Sequence, residues 1–204
     1  SDRPDAYGPA EVETVGAIVA QGMVAYDNAR LFSQVRQLAT VDGLTHVANR
    51  RHFLEIAERE LGAARTSGLP LAAIMADIDH FKRINDTLGH QAGDDAIRAV
   101  AARLREHSRE GDVVGRYGGE EFALVLPDVG DAAPVIAERL RAMVQAEPVD
   151  TVAGPVTVTI SVGVAHLTSA DTGVDALLAR ADECLYRAKH GGRNRVVVFE
   201  AAVR

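Results

Sequence analysis

Six uninterrupted apolar residues, Leu71-Ala72-Ala73-Ile74-Met75-Ala76, run directly into Asp77-Ile78-Asp79. Such a run is expected for a buried strand. Acids at its end need a reason, because charge there is costly unless it is paired or bound to metal. A strand reverses its side chains every residue, so Asp77 and Asp79 share one face and Ile78 takes the other. Oxygen ligands of this kind suit Mg²⁺, which takes one or two carboxylates plus substrate phosphates. Exposed loop acids are the other reading of the pair.

Around this strand, helical and strand patterns alternate. Phe53, Leu54, Ala57, Leu61 and Ala64 mark a helix starting near Asn49, a good N-cap. Ile97, Val100, Ala101 and Leu104 mark a second helix. Segments 113–117 and 122–126 read as strands joined by Gly118-Gly119-Glu120-Glu121, a hairpin signal. Ile136, Leu140, Met143 and Val144 give a third helix, with Asp131 as its expected cap and Pro134 in its first turn. Segment 156–165 alternates with β-branched residues and reads as one strand. A fourth helix through Val174, Leu177, Leu178, Ala181, Leu185 and Ala188 is closed by Gly191-Gly192. Segment 196–199 is a last strand. The predicted class is α+β, with a ferredoxin-like βαββαβ core extended at its ends.

Upstream, residues 11–40 read as one long helix. Val24, Leu31, Val35 and Leu38, with Asn28 in the same seam, fit a coiled-coil stripe; an ordinary amphipathic helix packing on its own domain is the alternative. Asp42-Gly43 breaks the pattern. The expected division is an N-terminal signalling helix over 1–40 and a second domain over 41–204.

The charge balance excludes some functions. Across 204 residues, Lys+Arg 22 against Asp+Glu 29 gives a net charge of −7. That disfavours non-specific binding to nucleic acid or anionic membrane. Cys184 is the single cysteine, which rules out an internal disulfide and a cysteine zinc cluster. The start, Ser1-Asp2-Arg3-Pro4-Asp5, is polar and lacks the apolar core of a secretory signal. Segment 151–170 carries no Asp, Glu, Lys or Arg, but it holds Gly154, Pro155 and Gly163 and alternates like a strand rather than a membrane span. A soluble protein in a reducing, cytoplasmic compartment is expected.

The second acid cluster lies in Arg116-Tyr117-Gly118-Gly119-Glu120-Glu121-Phe122. Two glycines at a hairpin tip allow positive φ and close approach of a ligand. If the hairpin lies beside the first strand, Glu120 or Glu121 faces Asp77 across a metal, and a cation is the natural counter-charge for clustered carboxylates. A Gly-Gly turn with polar decoration is the plain alternative. As a string, however, this one resembles the signature loop of the GGDEF domain of the diguanylate cyclase family, in a GGEEF form. The resemblance runs from Asp42-Gly43-Leu44-Thr45, similar to the family's entry motif, to Gly192-Arg193-Asn194. His46 stands where a glycine is expected, which puts the local turn in question. Segment 25–32, Ala25-Tyr26-Asp27-Asn28-Ala29-Arg30-Leu31-Phe32, resembles the last helix of a GAF sensory domain, so the chain reads as an excised output module.

The resemblance implies roles residue by residue. Asp77 and Glu121 match metal carboxylates, and Ile78 the position whose backbone carbonyl helps. Glu120 matches the proposed general base, sometimes assigned to metal as well. Phe81 and Lys82 resemble the turn that holds GTP phosphates. Asn85 and Asp94 match readers of the guanine edge, with His90 beside them and Gly118 and Gly119 in the loop. Lys189 and Arg193 match a late phosphate-contacting pair. The chain holds twenty arginines but only two lysines, Lys82 and Lys189, and both fall at motif positions. Arg109-Glu110-Gly111-Asp112 reads as R-x-x-D, matching the family's product-inhibition site, with Arg139 completing it; an exposed ion pair is its plain reading.

The implied reaction joins two GTP into cyclic di-GMP and releases two pyrophosphates, with Mg²⁺ or Mn²⁺ as cofactor and a homodimer as the working form. Cyclic di-GMP is then both product and inhibitor. Three rivals stand beside this reading: a silent receptor for cyclic di-GMP, a cyclase with another base preference, and an adaptor acting through its helix alone.

Overall fold

A computed structural model of the chain describes residues 40–200, with Val15, Val19, residues 21–24 and Tyr26. The chain divides into two compact units, Ser1–Ala39 and Thr40–Arg204. The described residues of the first unit are helical and exposed. The rest of the expected N-terminal helix lies outside the described residues, including Asn28, Leu31, Val35 and Leu38 and all of 25–32 except Tyr26.

In the second unit the order is β1 (Ala48–Asn49), α1 (Arg50–Ser67), β2 (Leu71–Ile78), α2 (Phe81–Leu88), α3 (His90–Glu106), β3 (Val113–Arg116), β4 (Glu121–Pro127), α4 (Ala133–Ala146), β5 (Val149–Thr151), β6 (Gly154–Val156), β7 (Ile160–His166), α5 (Val174–His190) and β8 (Val196–Val198). The main sheet runs β1-β3-β4-β2-β7-β8. Its four central strands are antiparallel, and β1 and β8 add parallel edges. This is the expected α+β ferredoxin-like core with additions at both ends.

The apolar run explains the layering. Every residue of β2 is buried. Its alternate residues Leu71, Ala73 and Met75 pack with Phe53 and Leu61 of α1 and Leu177 and Leu185 of α5. Ala72, Ile74, Ala76 and Ile78 pack with Ile97, Val100 and Leu104 of α3 and Leu140 and Val144 of α4. By the same alternation Asp77 belongs to the α1/α5 face. Asn49 caps α1 as expected, its side chain accepting from His52 N at 3.0 Å.

Four local expectations change. Phe81 and Lys82, expected in a turn, instead open helix α2, in which only Phe81 and Ile84 are buried. Asp131 caps nothing: it lies in a 3₁₀ turn, Gly130–Ala132, and α4 begins after Ala132 with no side-chain cap. Segment 156–165 is not one strand. Its start belongs to β6, which pairs with the unexpected β5 in a separate two-stranded sheet, while β7 enters the main sheet at Ile160. The short edge strand β1 was also unexpected. Among the described residues, no helix is long and apolar enough to cross a membrane.

Candidate active site

Strand pairing brings the two acid clusters together. Asp77 and Glu121 are register partners on β2 and β4. Directly opposed residues share a face with Cβ atoms about 5 Å apart. Ile78 N donates to the Glu120 carbonyl at 3.3 Å, which fixes the hairpin exit against the end of β2. Asp77 is buried, and Lys189 in the last turn of α5 reaches it, Nζ to Oδ2 2.7 Å.

One lysine does not balance this site. Burial pushes the Asp77 carboxyl up to about 6; Lys189 pulls it back, and Glu120 and Glu121 add to the rise. Burial also raises Glu120, against Lys189 and with Glu121. Asp77 and Glu120 thus share one ammonium, with Glu121 adding negative charge beside them, which favours a further cation.

The hairpin tip is shaped by its glycines. A Cβ on Gly118 would sit 2.3 Å from Glu121 Oε2, whereas one on Gly119 would meet nothing within 4 Å. The Glu121 carbonyl accepts from Tyr117 N at 2.8 Å and Gly118 N at 3.2 Å. Gly118 therefore leaves room for the Glu121 carboxylate, and Gly119 leaves the tip open to a ligand.

Sequence reasoning missed the strut behind this tip. Arg116 donates to the Gly119 carbonyl from Nε at 3.1 Å and Nη2 at 2.6 Å. Its Nη1 donates to both oxygens of Asp42, at 3.0 and 3.2 Å. Asp42 Oδ1 also accepts from Leu44 N, Thr45 N and Thr45 Oγ1. The entry motif therefore holds the signature hairpin from behind. His46 closes that turn at φ 58°, its N–H bonded to the Asp42 carbonyl at 2.9 Å. It occupies the left-handed region where a glycine would be at home.

Burial works to raise the Asp42 carboxyl, but the Thr45 and Arg116 hydrogen bonds outweigh it and hold the group below its usual 3.8. A carboxyl depressed in the folded state adds stability present above its unfolded pKa and lost as pH falls through its folded pKa. Asp42→Asn should cost about 1 kcal/mol at pH 7. Thermal unfolding across a pH series should show this gap closing on acidification.

The other expected residues fall into two groups. Lys82, Asn85, His90 and Asp94 lie on the α2–α3 pair, with Lys82 and His90 exposed. Gly93 leaves room for Asn85: a Cβ there would sit 1.9 Å from Asn85 Oδ1 and 3.2 Å from Phe81 Cζ. Asn85 Oδ1 is buried and has no hydrogen-bond partner among the described residues. An orphaned buried acceptor of this kind calls for a ligand. Arg193 is exposed in the turn after α5.

The R-x-x-D residues lie elsewhere. Arg109 Nε donates to Asp112 Oδ1 at 3.0 Å, and Arg109 Nη2 donates to the Pro127 carbonyl at the far end of β4. Glu121 begins that strand, so the two candidate sites stand about 20 Å apart along it. Arg139 on α4 donates to the His107 carbonyl at 3.1 Å, which brings it beside this loop.

The family described as "Diguanylate cyclase, GGDEF domain" matches residues 39–195. Diguanylate cyclase DgcP of Pseudomonas aeruginosa is 41% identical over 164 residues, covering 80% of this chain and 24% of that protein. The response regulator PleD of Caulobacter vibrioides is 43% identical over 164 residues, covering 79% of this chain and 36% of that protein. The chain thus spans only about a quarter to a third of the length of these relatives. Among solved structures, the coiled coil and GGDEF domain of DgcB from Caulobacter crescentus, in complex with c-di-GMP, has a TM-score of 0.82 at 33% identity, covering 91% of this chain and 100% of that one. On the matched sequence, the fold and the signature hairpin set against the acidic end of β2, this chain belongs to the GGDEF-domain diguanylate cyclase family.

Proposed function

We propose that this chain is a metal-dependent diguanylate cyclase that condenses two GTP into cyclic di-GMP and two pyrophosphates. The observation that carries the reading is the placement of Asp77 opposite Glu121, with Lys189 2.7 Å from Asp77, behind an open glycine hairpin.

The donor set fits a divalent cation. Among the described residues, no three His, Cys, Asp or Glu side chains cluster at metal-binding spacing. Asp77 and Glu121 would supply two carboxylates and Ile78 a backbone oxygen, leaving the remaining positions to substrate phosphates and water, as suits Mg²⁺ or Mn²⁺. When bound, such an ion supplies Lewis-acid polarisation of the phosphate and charge neutralisation of the leaving pyrophosphate.

The chain's own residues do the rest. Asn85, with its unpartnered Oδ1, and Asp94 read the guanine edge beside His90. Lys82, Lys189 and Arg193 bind phosphates, and Lys189 exchanges its contact with Asp77 for the incoming anion. Each 3′-oxygen forms a bond to the α-phosphorus of the other GTP as the bond to pyrophosphate breaks. Its proton passes to Glu120, directly or through water; burial has already made that carboxylate more basic. Alignment supplies much of the rate in such a transfer. Each domain holds one GTP, so two copies must face each other and the working form is a homodimer. The N-terminal helix, read as a signalling coiled coil, brings them together. Cyclic di-GMP inhibits from the second site, where Arg109, Asp112 and Arg139 present guanidinium groups to phosphate. The protein works in the cytoplasm.

The test is to incubate the purified chain with GTP and Mg²⁺ across a range of protein concentrations and separate the products by chromatography. Cyclic di-GMP forming faster than linearly with protein is the expected result. No product from a chain that still binds cyclic di-GMP would replace the cyclase with a receptor.

A further inference from the structure

Asp79 is a buried acid that the chemistry above leaves over, and unlike Asp171, which pairs with Arg180, it has no ion-pair partner among the described residues. The residue is 5% exposed. Its Oδ1 accepts from Ser161 Oγ at 2.6 Å. Its Oδ2 accepts from Thr159 Oγ1 at 2.7 Å and from Asn194 N at 3.0 Å. Ser161 is the register partner of Asp77 on β7, so the two acids do leave β2 on one side, as the alternation predicted. Their surroundings differ: Asp77 faces an ammonium, whereas Asp79 is saturated by hydroxyls and an amide. Three charge-assisted donors offset the cost of burying that ion.

The two hydroxyls come from β7 and its approach, which strand pairing already holds beside β2. The Asn194 contact does something else. It joins the end of β2 to the turn after α5, 115 residues later in the chain. Arg193 and Asn194 stand there in succession at φ 59° and 46°. Successive non-glycine residues in the left-handed region persist only where their surroundings hold them. The hold is visible. Arg193 N donates to the Ala188 carbonyl at 3.0 Å, and Asn194 N donates to Asp79. The Asn194 side chain accepts from Arg141 Nη1 at 2.5 Å and donates to Gln145 Oε1 at 3.2 Å. Of these anchors, only Asp79 ties the turn to the end of β2, the strand that carries Asp77.

We infer that Asp79 is a positioning residue for the substrate phosphates: by fixing the Asn194 N–H, it sets the turn from which Arg193 meets the nucleotide beside Asp77. This rests on the diguanylate cyclase reading. Asp79 touches neither substrate nor reacting atoms, and it acts through Arg193.

A double-mutant cycle on the full chain tests it. Asp79→Asn and Arg193→Ala are made singly and together, and KM and kcat for GTP are measured with the melting temperature. Asp79→Asn should raise KM about tenfold with a smaller fall in kcat. In the Arg193→Ala background it should leave KM unchanged. Its effect on melting temperature should be the same in both backgrounds, because the hydroxyl contacts do not depend on Arg193. An equal rise in KM in both backgrounds would mean that Asp79 serves the fold alone, and would overturn the inference. Should Asp79→Asn be unfolded at assay temperature, Thr159→Val keeps the carboxylate and removes one donor. The same cycle then reads an expected rise of about threefold. A wild-type chain that neither binds GTP nor forms cyclic di-GMP overturns the cyclase reading and this inference together. An active wild type with an additive cycle overturns this inference alone.

Discussion

Asp77→Asn is expected to abolish GTP turnover, by about a thousandfold or more, and to leave the chain folded. The two halves of that result have separate causes. The carboxylate is one of two that face each other across β2 and β4, and the amide takes away the charge that a cation needs. A thousandfold loss is about 4 kcal/mol of transition-state stabilisation. The fold loses little. Asp77 is buried enough that its carboxyl is pushed up to about 6, so at neutral pH the ionised form is held at a cost. Asparagine has nearly the same shape, avoids that cost and can still accept from Lys189. Thermal unfolding should move by only a degree or two while product formation falls below detection. Activity within tenfold of wild type would remove Asp77 from the site. A collapse in melting temperature would make it a structural residue.

Much of this site was legible because its parts are local strings. The apolar run told that β2 is buried, and the acids at its end marked the candidate site. The glycine pair told of a hairpin, and antiparallel pairing then placed Glu121 opposite Asp77. What stayed hidden was set by contacts between distant segments. Arg116 meets Asp42 across 74 residues and Asn194 meets Asp79 across 115, and no spacing rule links such pairs. Short elements were hidden for a different reason. Helix α2 buries only Phe81 and Ile84, too few to set a period. Segment 156–165 alternates throughout, and alternation reports a half-buried strand without saying which sheet it joins. The break before Ile160, where β6 leaves its hairpin and β7 enters the core, therefore left no mark in the pattern.

Gly163 was equally silent, one small residue within an alternating run, and Gly163→Ala is the substitution expected to damage the fold most. Gly163 lies in β7 between Met75 of β2 and Val197 of β8, under helix α5. A Cβ there would come within 2.0 Å of the Ala181 carbonyl oxygen, 2.3 Å of Leu185 N and 2.9 Å of the Cys184 carbonyl carbon. All three are backbone atoms of α5, so no rotamer change relieves the clash. Gly115 gives the contrast: the three atoms nearest its added Cβ all belong to the Phe53 side chain, the closest at 2.7 Å. In β7 either the helix lifts off the sheet or the strand leaves its register, and each opens packing around Leu177, Leu185 and Met75. Overpacking of a tight core costs about 1–3 kcal/mol and sometimes more, and an unyielding backbone contact belongs at the upper end. At about 2–4 °C per kcal/mol for a chain of this size, the melting temperature should fall by roughly 10 °C. The same displacement carries Lys189 away from Asp77, since both the clash and that lysine belong to α5. The fraction that remains folded should therefore bind GTP more weakly than wild type. Gly119→Ala, where an added Cβ meets nothing within 4 Å, should leave the melting temperature unchanged. If Gly163→Ala melted with wild type, α5 would not be seated on β7 as closely as these distances require, and the ion pair between Lys189 and Asp77 would lose its structural basis.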